Sequence, residues 1–176
     1  MSSELPNREQ ALGLLHKYNC SPQVISHCIA VADLAVETAS KLEGKGHKIN
    51  IDLVEAGALF HDLGRSKTHT IDHAIAGAQI AQSIGLPDTV IRIIKRHVGA
   101  GITTEEAQML GWPKDIYAPQ TLEEKIVSFS DKLIDKSRRM PIETEIERLQ
   151  IKNKPQAAER VRKLNDEITN LLGDKT

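Results

Sequence analysis

Apolar residues recur at spacings of three and four along almost the whole of this 176-residue sequence, and that periodicity constrains its fold more than any other feature. It predicts amphipathic helices, and no segment alternates convincingly as a half-buried strand would. The start and stop signals agree. Asn7 with Gln10 forms a capping box for a short helix reaching about Tyr18. Ser21 caps and Pro22 opens a second helix, which Gly44 and Gly46 end. Asp52 with Glu55 starts a third, stopped by Gly64. Asp72 is the expected N-cap of a fourth that closes at Gly85, and Pro87 begins a fifth. After an irregular stretch, Thr103 with Glu106 caps a short helix to Leu110, and Thr121 with Glu124 a longer one. Pro141 opens a charged helix. Pro155 opens the last, whose stripe of Val161, Leu164, Ile168 and Leu171 suits packing on the domain or on a second copy. The expected architecture is one all-α domain over residues 1–176, with a core at about 21–134 and a C-terminal appendage of helices at about 141–172.

Bulk properties narrow the function classes. Hydrophobic content of 40% and charged content of 27% are ordinary for a globular chain of this length. The formal net charge of -1 gives no global field for nucleic acid or an acidic membrane. Aromatic content of 3% argues against a base-stacking nucleic-acid platform. Cys20 and Cys28 form neither a CxxC pair nor a disulfide framework. The N-terminus lacks the apolar stretch of a signal peptide, and no apolar run approaches the roughly 20 residues of a membrane span. A soluble, cytoplasmic protein is the expectation.

Chemistry enters through polar residues set among the apolar ones. His27 falls within the stripe of Val24, Val31, Leu34 and Ala35. The doublet His61-Asp62 follows Leu59-Phe60 in the last turn of the third predicted helix, and His73 follows the predicted cap of the fourth. Val90, Ile93, Ile94 and His97 stand at relative positions 0, 3, 4 and 7, so His97 shares an apolar face. Val127 and Ile134 place Asp131 toward the buried side of its helix. Taken singly, each of these histidines is ordinarily a hydrogen-bonded core residue. Asp62 alone is a negative charge poorly placed at a helix C-terminus. Taken together, four imidazoles and two carboxylates would each cost about 2–7 kcal/mol if buried unpaired. A divalent cation relieves that cost for the set, and mutual hydrogen bonding is the surviving alternative. Imidazole and carboxylate without thiolate suit Fe, Mn, Co, Ni or Zn and disfavour an all-oxygen Ca site. Six ligands exceed what one ion with an open position uses. They suit two ions about 3.5–4 Å apart that share a carboxylate and clamp a phosphoryl group.

The ordered pattern of His27, His61-Asp62 and Asp131 resembles the HD-domain superfamily of metal-dependent phosphohydrolases. It is carried by the segments Ser26 to Ala32, Leu59 to Arg65 and Ser130 to Leu133, and the resemblance spans about Ser21 to Ile134. The HDIG branch is most similar, with Leu63 where that name has Ile. The resemblance implies a helical bundle and a metal set in which His73 and His97 match two additional positions found in dinuclear members. All six residues are then ligands, with Asp62 the bridge. His69 competes for the His73 role, which the following Ala-Gly pattern favours for His73. The chain is also similar to small dinuclear HD proteins that hydrolyse nucleotides, including bacterial diadenosine tetraphosphate hydrolases, and to archaeal HDIG proteins. It lacks the Gly-Tyr-Pro signature of the cyclic-di-GMP branch and the acidic pair of the guanosine-tetraphosphate hydrolases.

The expected activity is hydrolysis of a phosphate ester or anhydride, on a small phosphorylated substrate of nucleotide type, by a metal-activated water. Asp62 and Arg65 carry the catalytic assignments. Arg65, Lys95, Arg96 and Lys132 are the candidate phosphate contacts. Two readings from other classes remain at this level: a di-iron HD-type oxygenase, and a non-catalytic metal- or nucleotide-binding regulatory module. The C-terminal helices leave room for a homo-oligomer.

Overall fold

The computed structural model describes residues 4–173, whose regular structure is helical except for one small hairpin and an isolated bridge between Ile102 and Tyr117. The helices are α1 (Arg8–Lys17), α2 (Pro22–Glu43), α3 (Ile51–Phe60), α4 (His73–Ser83), α5 (Asp88–Arg96), α6 (Thr104–Met109), α7 (Leu122–Lys132), α8 (Ile142–Ile151) and α9 (Pro155–Leu172). Short 3-10 turns follow α3 at Leu63–Ser66 and α5 at Val98–Ala100. The capping boxes expected at Asn7, Thr103 and Thr121 all form. Ser21 caps α2 ahead of Pro22.

Helices α2, α3, α5 and α7 pack on one another around an aliphatic core that includes Leu42, Leu59, Phe60, Ile93 and Ile126. Close approach depends on missing side chains. A Cβ on Gly57 would lie 2.3 Å from Cδ1 of Ile93, so glycine lets α3 approach α5 without displacing that side chain. A Cβ on Gly64 would lie 1.9 Å from the carbonyl oxygen of His73. That contact draws the segment after the His-Asp doublet onto the first turn of α4.

Four local expectations change. Helix α3 starts at Ile51, because the Asn50 side chain accepts from the Leu53 amide; Asp52 sits in the first turn, where its charge suits the helix dipole. Helix α3 also ends at Phe60, immediately before the doublet, so His61 is its C-cap and Asp62 lies outside it. The Asp72 carboxylate does not cap α4: it accepts from Trp112 Nε1 at 2.7 Å and from the Thr70 hydroxyl. Strands β1 (Ile134–Asp135) and β2 (Arg138–Arg139) form a two-residue antiparallel hairpin, with Lys136 at φ 57° in its turn.

The apolar stripe of α9 lies inside the fold. Val161, Leu164 and Ile168 are buried, and α9 packs on α7, α8 and α2, which removes that face as an offer to a second copy. Cys20 and Cys28 are buried free thiols, and burial pushes the Cys20 thiol up to about 11. Among the described residues no helix is long and apolar enough to cross a membrane.

Candidate metal centre

Three helix C-termini converge where the candidate ligands meet. His61 is the C-cap of α3, His97 is the C-cap of α5, and Asp131 lies in the last turn of α7. Their dipoles present negative ends to a common point, an arrangement that favours a cation. His73 is the first residue of α4, and His27 stands on the second turn of α2. Asp62 has left the helix, with φ −101° and ψ 15°, and sits just beyond the α3 C-terminus, where its negative charge adds to the demand for a cation.

The structure brings all six side chains together, and Asp62 stands between two groups of them. Its Oδ2 lies 3.8 Å from His61 Nε2 and 4.0 Å from His27 Nε2. Both of those nitrogens also face Asp131 Oδ1, at 3.4 and 3.0 Å. Its Oδ1 lies 3.1 Å from His73 Nε2 and 3.6 Å from His97 Nε2.

Each imidazole is oriented from behind by a main-chain carbonyl. His61 Nδ1 donates to Ala58 O at 2.6 Å, and His97 Nδ1 to Ile94 O at 2.8 Å. These two rings occupy the same position at the ends of different helices, and each satisfies a last-turn carbonyl that has no amide partner in helix geometry. His73 Nδ1 donates to Thr70 O at 2.7 Å, and His27 Nδ1 to Lys136 O at 2.9 Å. A carbonyl only accepts, so in each neutral ring Nδ1 holds the proton and Nε2 turns a lone pair inward.

This donor set fits divalent metal. His73 Nε2 and His97 Nε2 are 3.1 Å apart, and two facing lone pairs repel unless a cation or proton lies between them. His61 Nε2 is buried and has no hydrogen-bond partner, an expensive state for a polar atom. The electrostatics agree. Burial pushes the Asp62 carboxyl up, but the charge of His61, with the ring nitrogens of His73 and His97 close by, outweighs it and holds it well below the usual range. Burial acts likewise on Asp131, where Lys132, His27 and His61 prevail and keep it ionised. Burial lowers His61, but the neighbouring carboxylate of Asp62 overrides it and draws a proton to that ring. The pocket demands positive charge.

The flanking cations divide into two kinds. Arg65 Nε donates to Asp62 Oδ2 at 3.0 Å and its Nη1 to the His69 carbonyl at 3.1 Å, so it braces the carboxylate and lines the cavity. Lys132 folds back onto Asp131 Oδ2 and also faces the cavity. Lys95 and Arg96 turn elsewhere. Lys95 pairs with Asp115, and Arg96 is buried with its Nη1 on both oxygens of Glu124, at 2.9 and 3.0 Å. Neither lines the cavity, which corrects the phosphate-contact expectation for both: partners on the irregular segment before α7 and on α7 itself claim them first. His69 lines the cavity wall but stays outside the ligand cluster.

The ligands open into a cavity of about 980 Å³. One wall is apolar, with Val98, Ile102 and Leu110. A further part of the lining comes from the hairpin and the α8–α9 helices, with Lys136, Glu145, Lys152, Lys154 and Arg160. The sequence reading missed this part, because nothing local in those segments signals that α8 and α9 fold back over the centre.

The HD domain family model matches residues 24–134, the stretch that holds every candidate ligand. Uncharacterized protein MJ0778 of Methanocaldococcus jannaschii is 45% identical over 167 residues, covering 93% of this chain and 98% of that protein. The tRNA (cytidine(56)-2'-O)-methyltransferase of Picrophilus torridus is 40% identical over 169 residues, covering 96% of this chain but 48% of the methyltransferase, so the chain spans about half the length of that relative. The HD domain of the L. monocytogenes phosphodiesterase PgpH, solved with cyclic-di-AMP, has the same fold at a TM-score of 0.56 and 22% identity, covering 92% of this chain and 96% of that one. By a family match across more than half its length and a relative close to half identical along nearly all of it, the chain belongs to the HD domain family.

Proposed function

We propose that this chain is a dinuclear metal-dependent phosphohydrolase acting on a phosphate ester or anhydride of a nucleotide. One observation carries the reading: the two oxygens of a single carboxylate, Asp62, face two different pairs of inward-turned imidazoles. In this assignment His27, His61, Asp131 and Asp62 would hold one ion, and His73, His97 and Asp62 would hold the other. Divalent transition metal bound there supplies Lewis acidity and an acidified water.

The chain's own residues supply the rest. The carbonyl anchors fix the imidazoles, so the ligand geometry is set before substrate arrives. Arg65 uses Nε on Asp62 and one Nη1 proton on His69 O, which leaves further guanidinium N–H groups to grip a phosphate. Lys132 balances the charge of Asp131. The cavity lies within the size range of small-molecule sites, and its apolar wall suits a nucleobase. The PgpH HD domain, solved with cyclic-di-AMP, supports a nucleotide substrate. The tRNA methyltransferase relative adds RNA ends to the substrates worth testing. The reading treats the whole chain as one domain, since α8 and α9 complete the cavity.

Elemental analysis of protein purified without chelator, followed by a hydrolysis screen over nucleotides and short RNAs, tests this. The expected result is about two transition ions per chain and release of phosphate or nucleotide. Two bound ions with no turnover across the panel would overturn it. A mixed-valent iron signal with oxygen uptake on adding substrate would move the assignment to an oxygenase.

A further inference from the structure

The cations around the cavity are not equivalent. Beside the ligands, Arg65 has Asp62 and Lys132 has Asp131 as carboxylate partners, and on α9 Arg160 has Glu106. Farther out, Lys136, Lys152 and Lys154 line the same cavity and form no ion pair among the described residues. The nearest acid in sequence, Asp135, is held by Arg148 at 2.9 Å.

These lysines come from two separate turns. Lys136 forms the β1–β2 turn at φ 57°, and Lys152 and Lys154 flank Asn153, at φ 54°, between α8 and α9. Both turns are fixed by main-chain bonds: the Lys136 carbonyl accepts from His27, and the Lys154 amide donates to Leu149 O at 2.8 Å. The fold thus places three lysines without ion pairs around the cavity, where the Glu145 carboxylate acts on Lys152 and offsets only part of their charge. Like charges so placed repel, and a polyanion relieves that repulsion.

We propose that Lys136, Lys152 and Lys154 form a second anion subsite, which holds a phosphate of the substrate other than the one undergoing attack. The inference rests on the phosphohydrolase reading and deepens it. The substrate class becomes nucleotides with more than one phosphate, such as a nucleoside polyphosphate or a dinucleotide, over nucleoside monophosphates.

Inorganic tripolyphosphate and orthophosphate serve as probes, titrated calorimetrically into metal-loaded protein. Wild type is expected to bind tripolyphosphate at least tenfold more tightly than orthophosphate. In K136Q/K152Q/K154Q the tripolyphosphate affinity should fall fivefold or more, and by more than the orthophosphate affinity falls. A smaller or equal loss overturns the subsite. A control with the same charge change away from the cavity, K17Q/K48Q/K163Q, should bind both probes as wild type does; a matching loss there would reduce the effect to net charge and also overturn the subsite. The two readings fail separately. Absence of turnover over the nucleotide panel defeats the phosphohydrolase assignment, whereas lysine-independent tripolyphosphate binding defeats the subsite alone.

Discussion

His73 Nε2 lies 3.1 Å from Asp62 Oδ1, on the opposite side of that carboxylate from the oxygen facing His61. The proposed sharing of Asp62 between two ions sets its mutational consequence apart from that of a ligand to one. Asp62→Ala should remove both metals and abolish turnover while leaving the far-ultraviolet helical signal near wild type. His97→Ala should reduce the metal count from about two per chain toward one. Elemental analysis checks both, and equal losses in the two variants would argue against a shared carboxylate.

Gly64 is a steric requirement. A Cβ there would lie 1.9 Å from His73 O and 2.5 Å from the Gly77 amide nitrogen, both main-chain atoms that cannot swing aside. Gly64→Ala should cost about 3 kcal/mol or more, since overpacking against rigid backbone exceeds the usual core penalty. The expected fall in Tm is roughly 6–12 °C for a chain of this size. Gly13, in the middle of α1, has no atom within 4 Å of its would-be Cβ. Gly13→Ala should stabilise by about 0.5–1 kcal/mol. Thermal or denaturant melts distinguish the two.

Arg96 and Glu124 form a buried bidentate pair, and Glu124 also accepts from the amides of Gln120 and Thr121 at the start of α7. Arg96→Met leaves that carboxylate buried without its charge partner, which typically costs about 3–5 kcal/mol. The metal-to-protein ratio of the folded variant should match wild type. A variant with normal stability and impaired phosphate affinity would restore Arg96 to the site.

Acid should weaken the chelated protein partly through His97. Burial, the largest cause, pushes its pKa down to about 4 from an ordinary 6.5. Unfolding therefore takes up a proton below pH 6.5, so this contribution is complete above that pH and is lost as pH falls toward 4. The shift corresponds to about 3 kcal/mol. His61 has the opposite sign, because its pKa is raised, and its contribution is lost as pH rises. The stability difference between wild type and His97→Gln, measured by denaturant titration in the presence of chelator, isolates the His97 share. That difference should shrink between pH 7 and pH 4.

Much of this molecule is readable from its sequence, for a physical reason. Capping boxes such as Thr121 with Glu124, and stripes such as Val90, Ile93, Ile94 and His97, act within one or two helical turns, so sequence order nearly equals spatial order. The same locality explains why His61, His73 and His97 were found. Side-chain destinations that cross the chain were not readable. Asp72 reaches Trp112, 40 residues on, and Lys95 reaches Asp115 across a segment without periodicity. The lysine wall depends on α8 and α9 folding back, and the two-residue hairpin is too short to leave an alternating pattern. Asn50 displaced Asp52 as a cap because both are competent caps two positions apart, and only the approach of the preceding loop selects between them.

The imidazoles are steered by peptide oxygens, and no substitution of a neighbouring side chain deletes a peptide oxygen. Drift can therefore reshape the chamber around this centre, altering which molecule is admitted, while the aim of the four nitrogens persists. A scaffold wired in this way separates the evolution of selectivity from the maintenance of the catalytic machinery.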